Sequence, residues 1–247
     1  MRGTSMGRRR PPSWCVIGAG PSGLTALKNL LAVGIGAECL EREDGIGGNW
    51  RFGSASSRVF ASTRLISSKS LTGFTDFPMP REWPAYPDHA RCLEYLAAYA
   101  RRFALTPHVR TSCPVRRVEP AAEGGWLVHA EGPGPRRYDG VIVASGHNHQ
   151  PRFPEIPGLF SGTLLHAADY KSPTHPCHVA GSRVLVIGGG NSACDIAVDV
   201  AGHAATTVLS LRRGYHGGPR YIRGRPADLR AARLLTLGLP RMTRGTT

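Results

Sequence analysis

The 247 residues carry a formal net charge of +14 and are 41% hydrophobic, a composition that can bury roughly 70% of the unfolded surface and excludes a disordered chain. The longest near-continuous apolar stretch, 30–37, is too short to cross a bilayer, and the positive charge, nearly all arginine, is spread without the aromatic-interleaved runs that bind RNA, which excludes a membrane span and a nucleic-acid partner. Cys15, Cys39, Cys92, Cys113, Cys177 and Cys194 form neither a CxxC pair nor a zinc spacing; this points to a reducing cytoplasm and, with no fourth ligand beside His175, Cys177 and His178, to no metal.

The first twelve residues, MRGTSMGRRRPP, are basic and Pro-rich with no apolar run behind them, and read as a disordered tail rather than a cleaved signal. An apolar strand from Trp14 to Ile17 then enters Gly18-Ala19-Gly20-Pro21-Ser22-Gly23, after which Leu24, Ala26, Leu27, Leu30 and Leu31 recur at helical spacing. This is the opening of a dinucleotide fold: Gly18 permits the tight turn, Gly20 lets backbone approach a pyrophosphate, and Gly23 lets helix and strand pack closely. A second strand, 37–40, delivers Glu41 eighteen residues after Gly23, with Arg42 beside it. A carboxylate there accepts hydrogen bonds from the hydroxyls of an adenosine ribose.

GIGGNW at 45–50, with Gly48, Asn49 and Trp50, is too glycine-rich for regular structure and reads as a loop with close backbone approaches. The Pro- and aromatic-rich stretch 74–89 cannot be helical and is expected to line or cover something. Helix returns at 91–105, where Leu93, Leu96, Ala97, Ala100 and Phe103 share one face. Short strands between Val109 and Ala144 describe a β-meander returning to the main sheet, and 141–144, apolar on both faces, reads as a central parallel strand.

After a Pro-rich linker the strand–turn–helix layout recurs: Gly188, Gly190 and Ala193 take the fingerprint positions, with Asn191 and Ser192 opening the helix. The strand TTVLSLRR places Leu211 at the offset of Glu41 and ends on Arg212 and Arg213. A carboxylate repels a ribose 2′-phosphate, whereas arginines bind it bidentately. At about 1.5–3 kcal/mol per charge-assisted bond the preference for the phosphorylated nucleotide is on the order of 10- to 100-fold. The first site is therefore expected to hold FAD or NAD, and the second NADPH. The expected fold class is α/β, with two Rossmann-like dinucleotide-binding domains: FAD-binding at 13–150 with the β-meander, a linker at 151–181, and an incomplete NADP domain at 182–247.

These motifs together resemble the flavin-containing monooxygenase family. The likeness runs from about Ser13 to Asp228 and adds GGNW at 47–50, FTDFP at 74–78, ASG at 144–146 and GGGNSACDIA at 188–197. Its most specific part is Phe160-Ser-Gly162 through His166 to Tyr170, which looks like the family's FxGxxxHxxxY signature; Baeyer–Villiger cousins usually carry Trp last, so Tyr170 favours the branch that oxygenates heteroatoms. The resemblance implies that NADPH reduces FAD, that dioxygen adds at the flavin C4a to give a hydroperoxide, and that a small-molecule substrate with a soft nitrogen or sulfur takes the distal oxygen. Gly18, Gly20, Pro21, Ser22, Gly23, Glu41, Arg42, Gly48, Asn49 and Trp50 would then hold FAD; Gly188, Gly190, Asn191, Ser192, Arg212 and Arg213 would hold NADP, and Tyr170 would also bind cofactor.

The chemistry is the cofactor's, so no catalytic side chain is singled out. Where many members carry Thr-Asn ahead of a lysine matched by Lys69, this chain has Leu65-Ile66, leaving Ser67 or Ser68 to replace the hydrogen bond. Family members also continue well past position 247, so a truncated product is expected, with an open sheet edge, self-association and peroxide release in place of oxygen transfer. A flavin disulfide reductase is excluded by the missing CxxC; a nucleotide-binding remnant without turnover is the alternative.

Overall fold

The computed structural model describes residues 13–132, 134–214, 217–229 and 232. The expected tail 1–12 lies outside these residues, as do residues 233–247.

Cys15 and Val16 have no exposed surface because β1 (Ser13–Ile17) is flanked on both sides by parallel strands, β2 (Gly36–Leu40) and β7 (Gly140–Val143). A short β3 (Val109–Arg110) pairs with β2, giving the order β3-β2-β1-β7. The crossover from β1 to β2 is helix α1 (Pro21–Ala32), which buries Gly23, Leu24 and Leu27 against the sheet; a parallel connection requires such a covering helix. The meander is present as β4 (Val115–Pro120), β5 (Trp126–Ala130) and β6 (Arg136–Tyr138), paired antiparallel. Its inner residues Val128 and Tyr138 join Cys15, Leu40 and Cys113 in one apolar cluster, so meander and main sheet share a core.

One expectation is corrected. The strand at 141–144 reads as central, yet β7 closes the sheet, pairing with β1 alone among the described strands, and Val143 is 68% exposed. Two apolar faces show that a strand can be covered, not how many neighbours it has.

The chain divides into two compact units. One holds residues up to Arg58 together with Leu93–Arg152; the other holds Val59–Cys92 together with residues from Phe153 onward. The stretch 59–92, assigned from the sequence to the 13–150 domain, thus clusters with the second unit. Helix α3 (His89–Arg102) begins at this division, and its later turns bury Tyr95, Leu96, Tyr99 and Ala100.

In the second unit β8 (Arg183–Ile187) and β9 (Thr206–Ser210) run parallel, joined by α4 (Asn191–Ala201). Ile196 and Val200 of α4 pack with Phe60, Tyr170 and Val179 over Val184 and Val186. The opposite face of this sheet is open, with Leu185 59% exposed and Ile187 and Val208 similarly so. The Pro-rich stretch is irregular, as expected, and Lys69, at the start of α2 (Lys69–Thr72), gathers it by donating to the carbonyls of Pro80, Arg81 and Trp83 at 2.7, 2.7 and 2.5 Å. Among the described residues no helix is long and apolar enough to cross a membrane.

Candidate functional site

Each unit carries one glycine turn between a strand and a helix, and the two turns are built alike. Gly18 and Gly188 both have positive φ, +102° and +128°, a conformation that L side chains rarely adopt. Each donates its N–H to the far end of the neighbouring strand, Gly18 to Leu40 O at 2.8 Å and Gly188 to Ser210 O at 3.0 Å. Gly20 and Gly190 are the N-caps of α1 and α4, and neither helix has a side-chain cap or an acid in its first turn. The first-turn N–H groups are thus left for an external acceptor, and the positive end of each helix dipole favours an anion.

The turns differ at the third position. A Cβ on Gly23 would run into the Gly18 carbonyl, so α1 lies directly against β1. In the second unit the third position is Ala193, whose Cβ a Cβ on Gly188 would meet at 3.7 Å, an ordinary contact, so an alanine is tolerated there. Around the first turn the 45–50 loop closes in: Gly47 donates to Ala19 O at 3.0 Å, and a Cβ on Gly48 would lie 3.0 Å from the Gly20 Cα. Backbone therefore faces backbone over Gly20, whose own Cβ would meet only the Gly48 Cα, at 3.7 Å.

Glu41 is only 4% exposed. Its Oε2 accepts the Ala19 N–H at 2.6 Å and its Oε1 the Glu43 N–H at 2.9 Å. The carboxylate ties the glycine turn to the end of β2, a role sequence reading did not foresee; with about four acceptor positions it retains capacity for ribose hydroxyls. Pro21 and the exposed Ser22 open α1. Asn49 binds inward, its carbonyl accepting the Ser57 hydroxyl at 2.8 Å and its Oδ1 the Arg58 N–H at 2.7 Å. Trp50 ends the same short turn half-buried.

Arg42 is drawn to His149, Nη2 to Nδ1 at 3.2 Å, while His149 Nε2 meets Ser145 O at 2.6 Å. A guanidinium can only donate and a carbonyl only accept, so Nε2 carries the ring proton. Arg58 also donates to the His149 carbonyl at 2.8 Å. Neither Arg58 nor His149 belongs to a fingerprint, and only the fold brings them beside Arg42 and Asn49.

In the second unit Asn191 and Ser192 are exposed at the start of α4, and Arg212 and Arg213 are exposed just beyond β9. Tyr170 lies in the apolar cluster over β8 and α4. It is 4% exposed, and its hydroxyl donates to Asp199 Oδ2 at 2.6 Å, because a phenol carried into an apolar cluster must find an acceptor there. Ile66 is 60% exposed. Of the neighbouring serines, the Ser67 hydroxyl pairs with Thr72 Oγ1 at 2.8 Å, while the buried Ser68 hydroxyl has no hydrogen-bond partner among the described residues. All six cysteines are free. Burial pushes the Cys15, Cys39 and Cys92 thiols up to about 12, which keeps them protonated and unreactive.

Comparison with known proteins agrees with this geometry. A family model described as flavin-binding monooxygenase-like matches residues 13–236. Dimethylaniline monooxygenase [N-oxide-forming] 2 of Rattus norvegicus is 38% identical over a match covering 81% of this chain and 39% of the relative, so the chain spans well under half that protein's length. Among solved structures, the S-allyl-L-cysteine S-oxygenase of Allium sativum matches with a TM-score of 0.76 at 28% identity, over 87% of this chain and 54% of that one. The flavin-containing monooxygenase of Stenotrophomonas maltophilia matches with a TM-score of 0.75 at 30% identity, over 90% and 64%. Paired glycine turns, uncapped helices and a match along nearly the whole described length lead to one conclusion: the chain belongs to the flavin-binding monooxygenase-like family.

Proposed function

We propose that this chain forms the dinucleotide-binding part of an FAD- and NADPH-dependent monooxygenase acting on soft nucleophilic nitrogen or sulfur. The observation that carries the reading is the pair of matched glycine turns that end oppositely, one on the buried Glu41 carboxylate and the other on the exposed Arg212 and Arg213. In the first unit Gly18, Gly20 and Gly23 would shape the pyrophosphate cradle, with Pro21 and Ser22 opening its helix. Glu41 would accept from the ribose, and Arg42, Gly48, Asn49 and Trp50 would wall the FAD site. In the second, Gly188, Gly190, Asn191 and Ser192 would take the NADPH pyrophosphate, and the arginines the 2′-phosphate.

Bound FAD would supply the activation of dioxygen, with NADPH as the source of its reducing equivalents. The chain's own residues would orient the two nucleotides. The names of the matched relatives, an N-oxide-forming and an S-oxygenating enzyme, support nitrogen or sulfur as the acceptor atom. The open face of β8 and β9, with Leu185, Ile187 and Val208 in water, supports self-association; sedimentation that is independent of concentration would count against it.

The decisive experiment reconstitutes the purified chain with FAD, adds NADPH and a simple thioether under air, and follows flavin bleaching, sulfoxide and hydrogen peroxide. Flavin uptake, bleaching by NADPH in preference to NADH, and sulfoxide support the reading. Failure to take up FAD overturns it; peroxide without sulfoxide reduces it to an NADPH oxidase.

A further inference from the structure

The last residue of the Phe160–Tyr170 segment, Tyr170, is buried at 4% exposure. Within the second unit the Tyr170 ring meets Phe60 edge-on, centroids 5.5 Å apart at 69°, and the adjoining backbone is fastened by the Ala61 N–H to Lys171 O at 2.8 Å. Its hydroxyl holds Asp199 Oδ2 at 2.6 Å. Asp199 lies two residues before the end of α4, where the negative end of the helix dipole disfavours a carboxylate. A buried donor offsets that penalty, and burial together with the Asp199 bond pushes the phenol well above its ordinary range, so it remains a donor at any working pH.

Among the described residues, the opposite end of α4 carries no side-chain cap. Its N-cap Gly190 has no side-chain partner, and a Cβ there would meet nothing within 4 Å. The helix is gripped along its later turns, by Ile196 and Val200 in the apolar cluster and by Tyr170 through Asp199. The direction in which its first-turn amides point is therefore set from behind.

We propose that Tyr170 is a positioning residue for the nucleotide at the second glycine turn, acting through Asp199 to fix the axis of α4 and so the aim of its first-turn N–H groups at the pyrophosphate. This rests on the reading of that turn as the NADPH site. It predicts that the phenol hydroxyl matters for nucleotide affinity although it touches no ligand, and that it does not matter for the choice between NADPH and NADH, which lies with Arg212 and Arg213.

The test uses Tyr170→Phe, which keeps the ring and its contact with Phe60 and removes only the donor, beside Asp199→Ala, Asp199→Asn and the Tyr170→Phe/Asp199→Ala double variant. Losing a bond to a charged acceptor should raise the NADPH dissociation constant about tenfold in Tyr170→Phe and in Asp199→Ala. The double variant should be no worse than either single one. Asp199→Asn, which still accepts from the phenol, should lose less than Asp199→Ala. FAD affinity and the NADPH:NADH ratio should be unchanged, and amide hydrogen exchange at 191–194, measured without nucleotide, should quicken in Tyr170→Phe. A parent-like NADPH dissociation constant in Tyr170→Phe overturns the proposal while leaving the NADPH reading intact. Equal loss of FAD and NADPH overturns it in favour of a general packing role. If the unmodified chain binds no NADPH, the underlying reading falls and takes this one with it.

Discussion

Gly20→Val separates binding from folding. Gly20 has φ −76° and ψ −173°, extended backbone open to any residue, and the nearest atom to a Cβ there is the Gly48 Cα at 3.7 Å. Alanine should fit without strain and should even gain about 0.4–1 kcal/mol by restricting the unfolded chain. Valine, at home in extended backbone, places its methyl groups over the N-terminus of α1, in the space a pyrophosphate needs. If two charge-assisted bonds to phosphate are lost at about 1.5–3 kcal/mol each, FAD binding weakens by about 3–6 kcal/mol, or roughly 10²- to 10⁴-fold. The assay is titration of deflavinated chain with FAD, followed by quenching of flavin fluorescence, beside urea unfolding of the same samples. A valine variant that binds FAD with the parent's dissociation constant refutes the cradle. A midpoint shift equivalent to more than about 1 kcal/mol refutes the claim that this glycine serves the ligand and not the fold.

The neighbouring Gly23 should behave oppositely: Gly23→Ala drives a methyl into the Gly18 carbonyl and should cost about 1–3 kcal/mol in urea unfolding even without flavin, whereas a parent-like midpoint would show that α1 can move away freely. Replacing Arg212 and Arg213 by alanine should weaken NADPH on the order of 10- to 100-fold per lost contact with NADH nearly unchanged, and equal affinity of the unmodified chain for both nucleotides would contradict the assignment. Asp88 caps α3, its Oδ1 accepting the Arg91 N–H at 2.9 Å, so Asp88→Ala should cost about 1 kcal/mol of thermal or urea stability. Burial pushes the Asp88 carboxyl up, but the Arg91 N–H and the Arg91 and Arg64 guanidiniums outweigh it and hold the group below the usual carboxylate range. Its stabilisation is therefore complete above the unfolded value near 4 (roughly) and fades as pH falls below it; an acid-unfolding profile identical in parent and Asp88→Ala would refute this.

What the sequence determined by itself was local and periodic. The alternation from apolar strand to glycine turn to 3.6-residue repeat specified the order β1, α1, β2 and again β8, α4, β9, with β1 and β2 placed to within a residue, because these elements are set by contacts a few positions apart; the strand read at 206–213 stops at Ser210. The opposite charges at Glu41 and at Arg212 and Arg213 were legible for the same reason, since the end of a strand two elements after the turn is fixed by counting. Tertiary structure decided the rest. That β7 pairs with β1 alone among the described strands, that 59–92 clusters with the second unit, that Glu41 is spent partly on the turn itself, and that Tyr170 reaches Asp199 across 29 positions all depend on which distant segments meet. A side chain's polarity shows that it needs a partner once buried; only the packed chain shows which partner is within reach.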